Sequence, residues 1–229
     1  MAFDAQINYR ETHRLIPTQY SDESVLETLD LPAQVIANLS ELDAATNERV
    51  LAERGQSLTI GVGETLQGVP EYQIVNAAFA YAGSGSRFSD SRRGAWYAGT
   101  EIETSFAEVA FHKRRFLQDS RFTDPADYEY RDFLADFAGT FSHLEESEKM
   151  TCLEPEPVPQ CYGPGQALAT TLLYAGSNGL IYPSVRNPVG TCFVCFRPAM
   201  VGFPRRGRRY RLRISAGTAW NVDDVEQMD

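Results

Sequence analysis

GSGSRFSDSRRG (83–94), then AWYAG (95–99), then TEIETSFAEVAFHKRRFL (100–117): the order of these three segments decides the reading of this chain. The first is too rich in Gly, Ser and Asp to form a regular element. It is also basic within an acidic protein, so it predicts an anion-binding loop. AWYAG predicts a short strand. A helix of about sixteen residues starts at Thr100 or Glu101 and runs to Leu117. Within it Ile102, Phe106, Val109 and Phe116 recur near the helical period and are expected to face the core, while Ser105, Glu108 and His112 form a neighbouring polar stripe. The loop precedes its strand and the helix follows that strand, whereas a Rossmann glycine loop runs from strand into helix. GSGSRF is therefore not a dinucleotide fingerprint.

Downstream, residues 128–142 are aromatic-rich and predicted extended, and the acidic stretch 145–165, with Pro155, Pro157, Pro159 and Pro164, predicts a surface loop. QALATTLLYA (166–175) has a helical pattern closed by Gly176. GLIYPSVRNPVG (179–190) carries Tyr182, Ser184 and Arg186 from an apolar strand start into a Pro-Gly turn, a place where rigid scaffolds present functional groups. TCFVCF (191–196) and RRGRRYRLRIS (205–215) predict strands, the second with one basic face. Upstream, residues 22–54 hold two helical patterns, the second opening after Pro32 with Val35, Ile36, Leu39, Leu42 and Val50 on one face and ending at Gly55. Residues 56–68 read as a short extended segment with turns, and 70–82 as a helix or a buried strand, which periodicity does not separate. No internal repeat is found.

With 229 residues, 43% apolar and 23% charged, the chain fits one folded domain. A net charge of -10 excludes a global attraction to nucleic acid or anionic membranes and leaves room for a local basic pocket. There is no apolar run of about 18 residues and no signal-peptide start, so a cytoplasmic location is expected. Cys192 and Cys195 form a C-x-x-C that Cys152 and Cys161 could complete to four zinc ligands. TCFVCF, however, is β-branched and aromatic with no Gly in the turn, which favours buried free thiols; no metal is expected. An isolated helix glutamate such as Glu108 is usually a solvated charge. A different class of reading makes the chain a non-catalytic module that holds nucleic acid through Arg205, Arg206, Arg208, Arg209 and Arg211. In an acidic chain one basic strand more often presents a solvated face or a docking edge.

The pattern GSRF-x₈-YAG-x₃-ETSFAEVAFH, followed by GLIYPSVR and an apolar strand ending in FRP, resembles the RES-domain family, named for its Arg, Glu and Ser. The resemblance runs from about Val75 to Pro198, and HRLIPTQY (13–20) with the following helices is similar to the longer members. It implies an α+β fold like that of ADP-ribosyltransferases: a mixed sheet with flanking helices, a helical extension over 1–74, a catalytic core over 75–200, and a C-terminal strand and tail over 201–229. It also implies a toxin that consumes NAD⁺ as a substrate, not a cofactor, by hydrolysis or phosphorolysis, or that transfers ADP-ribose to a protein. An Xre-type antitoxin that blocks the cleft is the implied partner, and the assembly expected is a homodimer or a toxin–antitoxin hetero-oligomer.

Arg87, Tyr97, Glu108 and Ser184 are the functional set so implied, with Phe88, Arg92, Arg93, Tyr182 and Arg186 around NAD⁺, and Ser105 and His112 behind them. Arg87 suits a diphosphate through its planar fork, Tyr97 a stacked nicotinamide, and Glu108 the positive charge that develops at the ribose. Ser184 is expected to bond the substrate and position Glu108. It is not read as a nucleophile, because YPSVR lacks the G-x-S-x-G elbow and no base is placed beside it. The chain departs from the family's Gly-Gly-Arg-Trp with Gly85-Ser86-Arg87-Phe88, and Arg92 and Arg93 are additional.

Overall fold

Two long strands frame the molecule, β1 (Ala2–Pro17) and β3 (Ala126–Leu144), which run antiparallel along almost their whole length. The structure is a computed structural model that describes residues 2–21, 31–44, 46–217, 221 and 224–228. Among these, the other strands are β2 (Trp96–Gly99), β4 (Gly179–Pro183), β5 (Thr191–Cys195), β6 (Gly202–Ile214) and β7 (Val225–Met228). The helices are α1 (Thr18–Ser21), α2 (Ala33–Ala44), α3 (Glu48–Glu53), α4 (Tyr72–Ala80), α5 (Ile102–Asp119), α6 (Glu146–Cys152) and α7 (Gly163–Tyr174).

The described strands form one seven-stranded sheet in the order β1-β2-β5-β4-β3-β6-β7, and the additional β1–β3 pairing closes the first five on themselves. β3 and β4 are parallel and the other pairs antiparallel, so the fold is α+β with a mixed sheet and flanking helices.

β1 departs from the expectation of a helical extension over 1–74, whose first sixteen described residues are strand. Ala5, Ile7 and Tyr9 alternate with exposed Gln6, Asn8 and Arg10, and the register slips between Tyr9 and Thr12, where Glu11 takes φ 58. This bulge breaks the period-two signal after only a few residues, and the partner strand lies more than a hundred positions away, so the strand leaves little local trace. Helices α2, α3 and α4 occupy much of the remainder, the last settling residues 70–82 as helix. The first of the two helical patterns in 22–54 lies outside the described residues.

One face of the sheet carries the aromatic core: Phe137 stacks on Phe193 at 5.6 Å between ring centres, Tyr9 meets Phe193 edge-on at 4.8 Å, and Phe79 of α4 and Trp96 of β2 are fully buried in the same cluster. On the other face, α7 covers Leu180, Tyr182 and Val194, and α5 covers Tyr130, Leu212 and Ile214. The buried line of α5 is Phe106, Ala110 and Leu117. Phe116, expected in the core, is 59% exposed, because one residue before Leu117 is about a 100° turn away from that line.

The stretch 145–165 is not a plain surface loop. It contains α6, and Val158, Cys161 and Tyr162 are buried beside Phe111 of α5. The basic strand β6 is largely neutralised: Arg205 pairs with Glu11 and Asp136, Arg206 with Glu71, and Arg211 with Glu129 and Glu226. Cations already engaged by carboxylates are poorly placed to collect phosphates, which argues against the nucleic-acid reading. No helix of the described residues is long and apolar enough to cross a membrane.

Gly179 opens β4, the strand that delivers Ser184. A Cβ there would stand 2.2 Å from the Val194 carbonyl oxygen and 2.8 Å from the Phe141 ring. Since the nearest obstacle is backbone, Gly179→Ala is expected to lower stability by about 1–3 kcal/mol, read as a fall of several degrees in Tm by calorimetry. An unchanged Tm would mean the β4–β5 ladder is looser than described.

Candidate active site

β1 and β2 share a single paired position, His13 with Gly99. A cleft of about 350 Å³ is walled by both strands beside it, by Arg14, Leu15 and Pro17 on one and by Tyr97 and Ala98 on the other. Such a volume lies at the lower end of the range for small-molecule sites. α5 supplies Ser105, Glu108, Val109, His112 and Lys113, the Gly-Ser loop supplies Ser86 and Arg87, and Tyr162, Tyr182 and Cys192 complete the wall.

Glu108 is aimed here by the helix itself, since the opposite stripe of α5 is buried against the sheet. The N-terminal turns of α5 are pinned by Ser105, whose hydroxyl donates to His13 O at 2.7 Å and accepts from Gly99 N at 3.2 Å. Ser105 is thus a structural clasp on the cleft wall. Ser184 lies behind Glu108 and is 7% exposed. Its Oγ accepts the amide protons of Arg186 at 3.1 Å and Asn187 at 3.0 Å, and donates its only proton to Glu108 Oε1 at 2.7 Å. With two N–H donors already on the oxygen, the hydroxyl proton has one useful direction, toward the carboxylate. The turn is held against α5 by Asn187 Nδ2 donating to Thr104 Oγ1 at 3.0 Å.

Tyr97 presents its ring to the cleft, while its hydroxyl accepts from Phe88 N and donates to Ser89 Oγ, both at 3.0 Å. Burial pushes this phenol up to about 12, so it stays neutral. Tyr182, also on the wall, is shifted upward for the same reason. His112 is held below the usual histidine range chiefly by desolvation, partly countered by Glu108.

Arg87 is 8% exposed and sits over the Tyr162 ring at 4.9 Å. Its Nη1 donates to Cys152 O and Glu154 O, both at 2.9 Å. One amino group therefore anchors the acidic, proline-rich segment while the side chain lines the cleft. Arg186 holds the same segment through Pro155 O at 2.8 Å and lies over Phe111, outside the cleft wall. Phe88 is buried against Tyr182 and supports that ring from behind. Arg92 and Arg93 correct the expectation of extra phosphate ligands: Arg92 is exposed and paired with Asp90, and Arg93 is bound to Glu64 and to Phe196 O. In both cases a nearby acceptor captures the guanidinium before it can reach the cleft.

The sequence reading missed Arg14. Its Nη1 donates to Tyr97 O at 3.2 Å, its guanidinium lies 4.9 Å from the Trp96 ring centre, and its Nε is buried without a protein partner. Desolvation pulls it down to about 10, which leaves it a cation at neutral pH. A half-buried cation with no carboxylate partner and an unpartnered buried Nε is costly unless something supplies the missing charge, and the cleft it lines is where an anion can do so. The signal was a lone Arg in HRLIP, invisible as a site residue without its partner strand. Among the described residues on the wall, Arg14, Arg87 and Lys113 stand with one carboxylate, Glu108.

A chain in the crystal structure of the M. tuberculosis MbcT–MbcA toxin–antitoxin complex is similar at 10% identity and a TM-score of 0.44, covering 92% of this chain and 87% of that one. No curated protein sequence matches. The RES domain family model matches residues 65–215, the span that carries every cleft element except β1, and by that match the chain belongs to the RES domain family.

Proposed function

We propose that this protein is the toxin of a toxin–antitoxin pair and that it depletes NAD⁺ by cleaving the bond between nicotinamide and ribose. The observation that carries the reading is the Ser184-bound carboxylate of Glu108 in a cleft whose wall also carries the cations Arg14, Arg87 and Lys113 and the rings of Tyr97 and Tyr182. Arg14 and Arg87 suit the diphosphate, and Tyr97 or Tyr182 offers an aromatic face to a flat ring. Breaking the bond leaves positive charge on the ribose, which Glu108 opposes, while the pyridinium departs as neutral nicotinamide and needs no general acid. Water as acceptor gives ADP-ribose and a proton; phosphate gives ADP-ribose 1″-phosphate.

Transfer of ADP-ribose to a protein uses the same chemistry with a different acceptor. Incubating the purified protein with NAD⁺ and weighing the products separates the three: free ADP-ribose, its 1″-phosphate, or a protein band carrying the label. Intact NAD⁺ under all conditions would end the proposal. Family membership further supports an Xre-type antitoxin as partner. Its carboxylate would meet the cations of the cleft and shut out NAD⁺. Expression of the chain alone is expected to lower cellular NAD⁺, and co-expression with the antitoxin to restore it.

A further inference from the structure

The thiol of Cys192 stands on the cleft wall beside Glu108. It lies on β5, 4% exposed, in ladder register with Gly99 of β2 and Tyr182 of β4. Its Sγ is 3.7 Å from Glu108 Oε1, the same oxygen that takes the Ser184 proton at 2.7 Å. Cys195, three residues on, belongs to the core cluster of the opposite face and donates to Arg197 O at 3.2 Å. The C-x-x-C is thus two separate thiols, as an odd spacing along a strand requires.

We propose that Cys192 is a positioning residue, its S–H joining the Ser184 hydroxyl in holding Glu108 Oε1 as the rear oxygen, so that Oε2 is the one that meets the ribose. The inference rests on the NAD⁺-cleaving reading of the cleft. Two donors converging on one carboxylate oxygen fix rotation about the last side-chain bond, which a single donor leaves free to swing. Fixing that rotation preorganises the charge that opposes the developing cation. Burial and the adjacent carboxylate both push the thiol upward, so it remains protonated and able to donate. Glu108 Oε1 accepts from both residues, and neither Ser184 nor Cys192 needs to touch substrate.

Infrared spectroscopy reads the S–H stretch in a window clear of other protein bands, and a thiol that donates to a carboxylate absorbs at lower wavenumber than one that does not. The band lost in Cys192→Ala identifies this thiol. In Glu108→Ala it is expected to move to higher wavenumber. In steady-state assays of NAD⁺ cleavage, Cys192→Ala is expected to lower kcat about tenfold with KM little changed, as for loss of one hydrogen bond felt in the transition state. Cys192→Val, which fills the space without a donor, should behave alike. A band that stays put in Glu108→Ala, or variants that keep kcat or change only KM, overturns the proposal. If the parent protein leaves NAD⁺ intact, the proposed reaction fails instead, and the infrared shift still decides whether the thiol grips the carboxylate.

Discussion

Glu108→Gln is expected to lower kcat for NAD⁺ cleavage by roughly a hundredfold or more, with KM and Tm close to those of the parent. The amide keeps the size of the side chain and an oxygen to accept the Ser184 proton, so the 2.7 Å bond that orders the turn can persist. What it loses is the negative charge, which matters little to bound NAD⁺ and much to the oxocarbenium-like transition state. Because the described cleft wall holds no second carboxylate, nothing nearby takes over that role. Near-normal turnover in Glu108→Gln would reduce Glu108 to a buried hydrogen-bond acceptor and remove the basis of the mechanism.

Arg14→Met should have the complementary signature: KM raised about ten- to a hundredfold, corresponding to the loss of a charge-assisted bond of about 1.5–3 kcal/mol, with kcat nearly unchanged. Phosphates are contacted equally before and during bond cleavage, so their loss is felt in binding. Met keeps an unbranched stem against Trp96 while removing a cation whose Nε is buried without a partner. Tm is therefore expected to hold or rise. Arg14→Lys should not rescue KM, because an ammonium is a point charge where the planar fork spans two oxygens. Equal KM values for parent and Arg14→Met would show that the cation serves only to tie β1 to the Tyr97 carbonyl.

Much of the site was legible because it is built from short local patterns. The period of α5 places Ser105, Glu108 and His112 on one stripe, and YPSVR at the end of an apolar strand puts Ser184 at a strand tip. The family pattern then joined these two pieces. What could not be read was the competition among partners. Arg87, Arg92, Arg93 and Arg186 look alike in sequence, yet only Arg87 lines the cleft, because Asp90, Glu64 and the carbonyls of Phe196 and Pro155 capture the others. The acidic segment after residue 145 reads as solvated for the same reason: its burial depends on Arg87, Arg115 and Arg186 donating to its carbonyl groups.

The sequence by itself determined the elements whose signals lie within a few turns of chain: the Gly-Ser loop, the short β2, the amphipathic α5, and the strands β4 and β5, and with them the place of Glu108 on a helix stripe and of Ser184 at a strand tip. Tertiary structure alone decided that residues 2–17 are a strand, that this strand meets β2 at one position, and that Arg14 enters the cleft beside that junction. It also decided that Cys192 shares an oxygen of Glu108 with Ser184. The division has one physical cause. Helix periodicity and turn chemistry are satisfied by neighbours in the chain, whereas strand pairing and the partner chosen by each long cationic side chain depend on groups brought together only when the sheet closes.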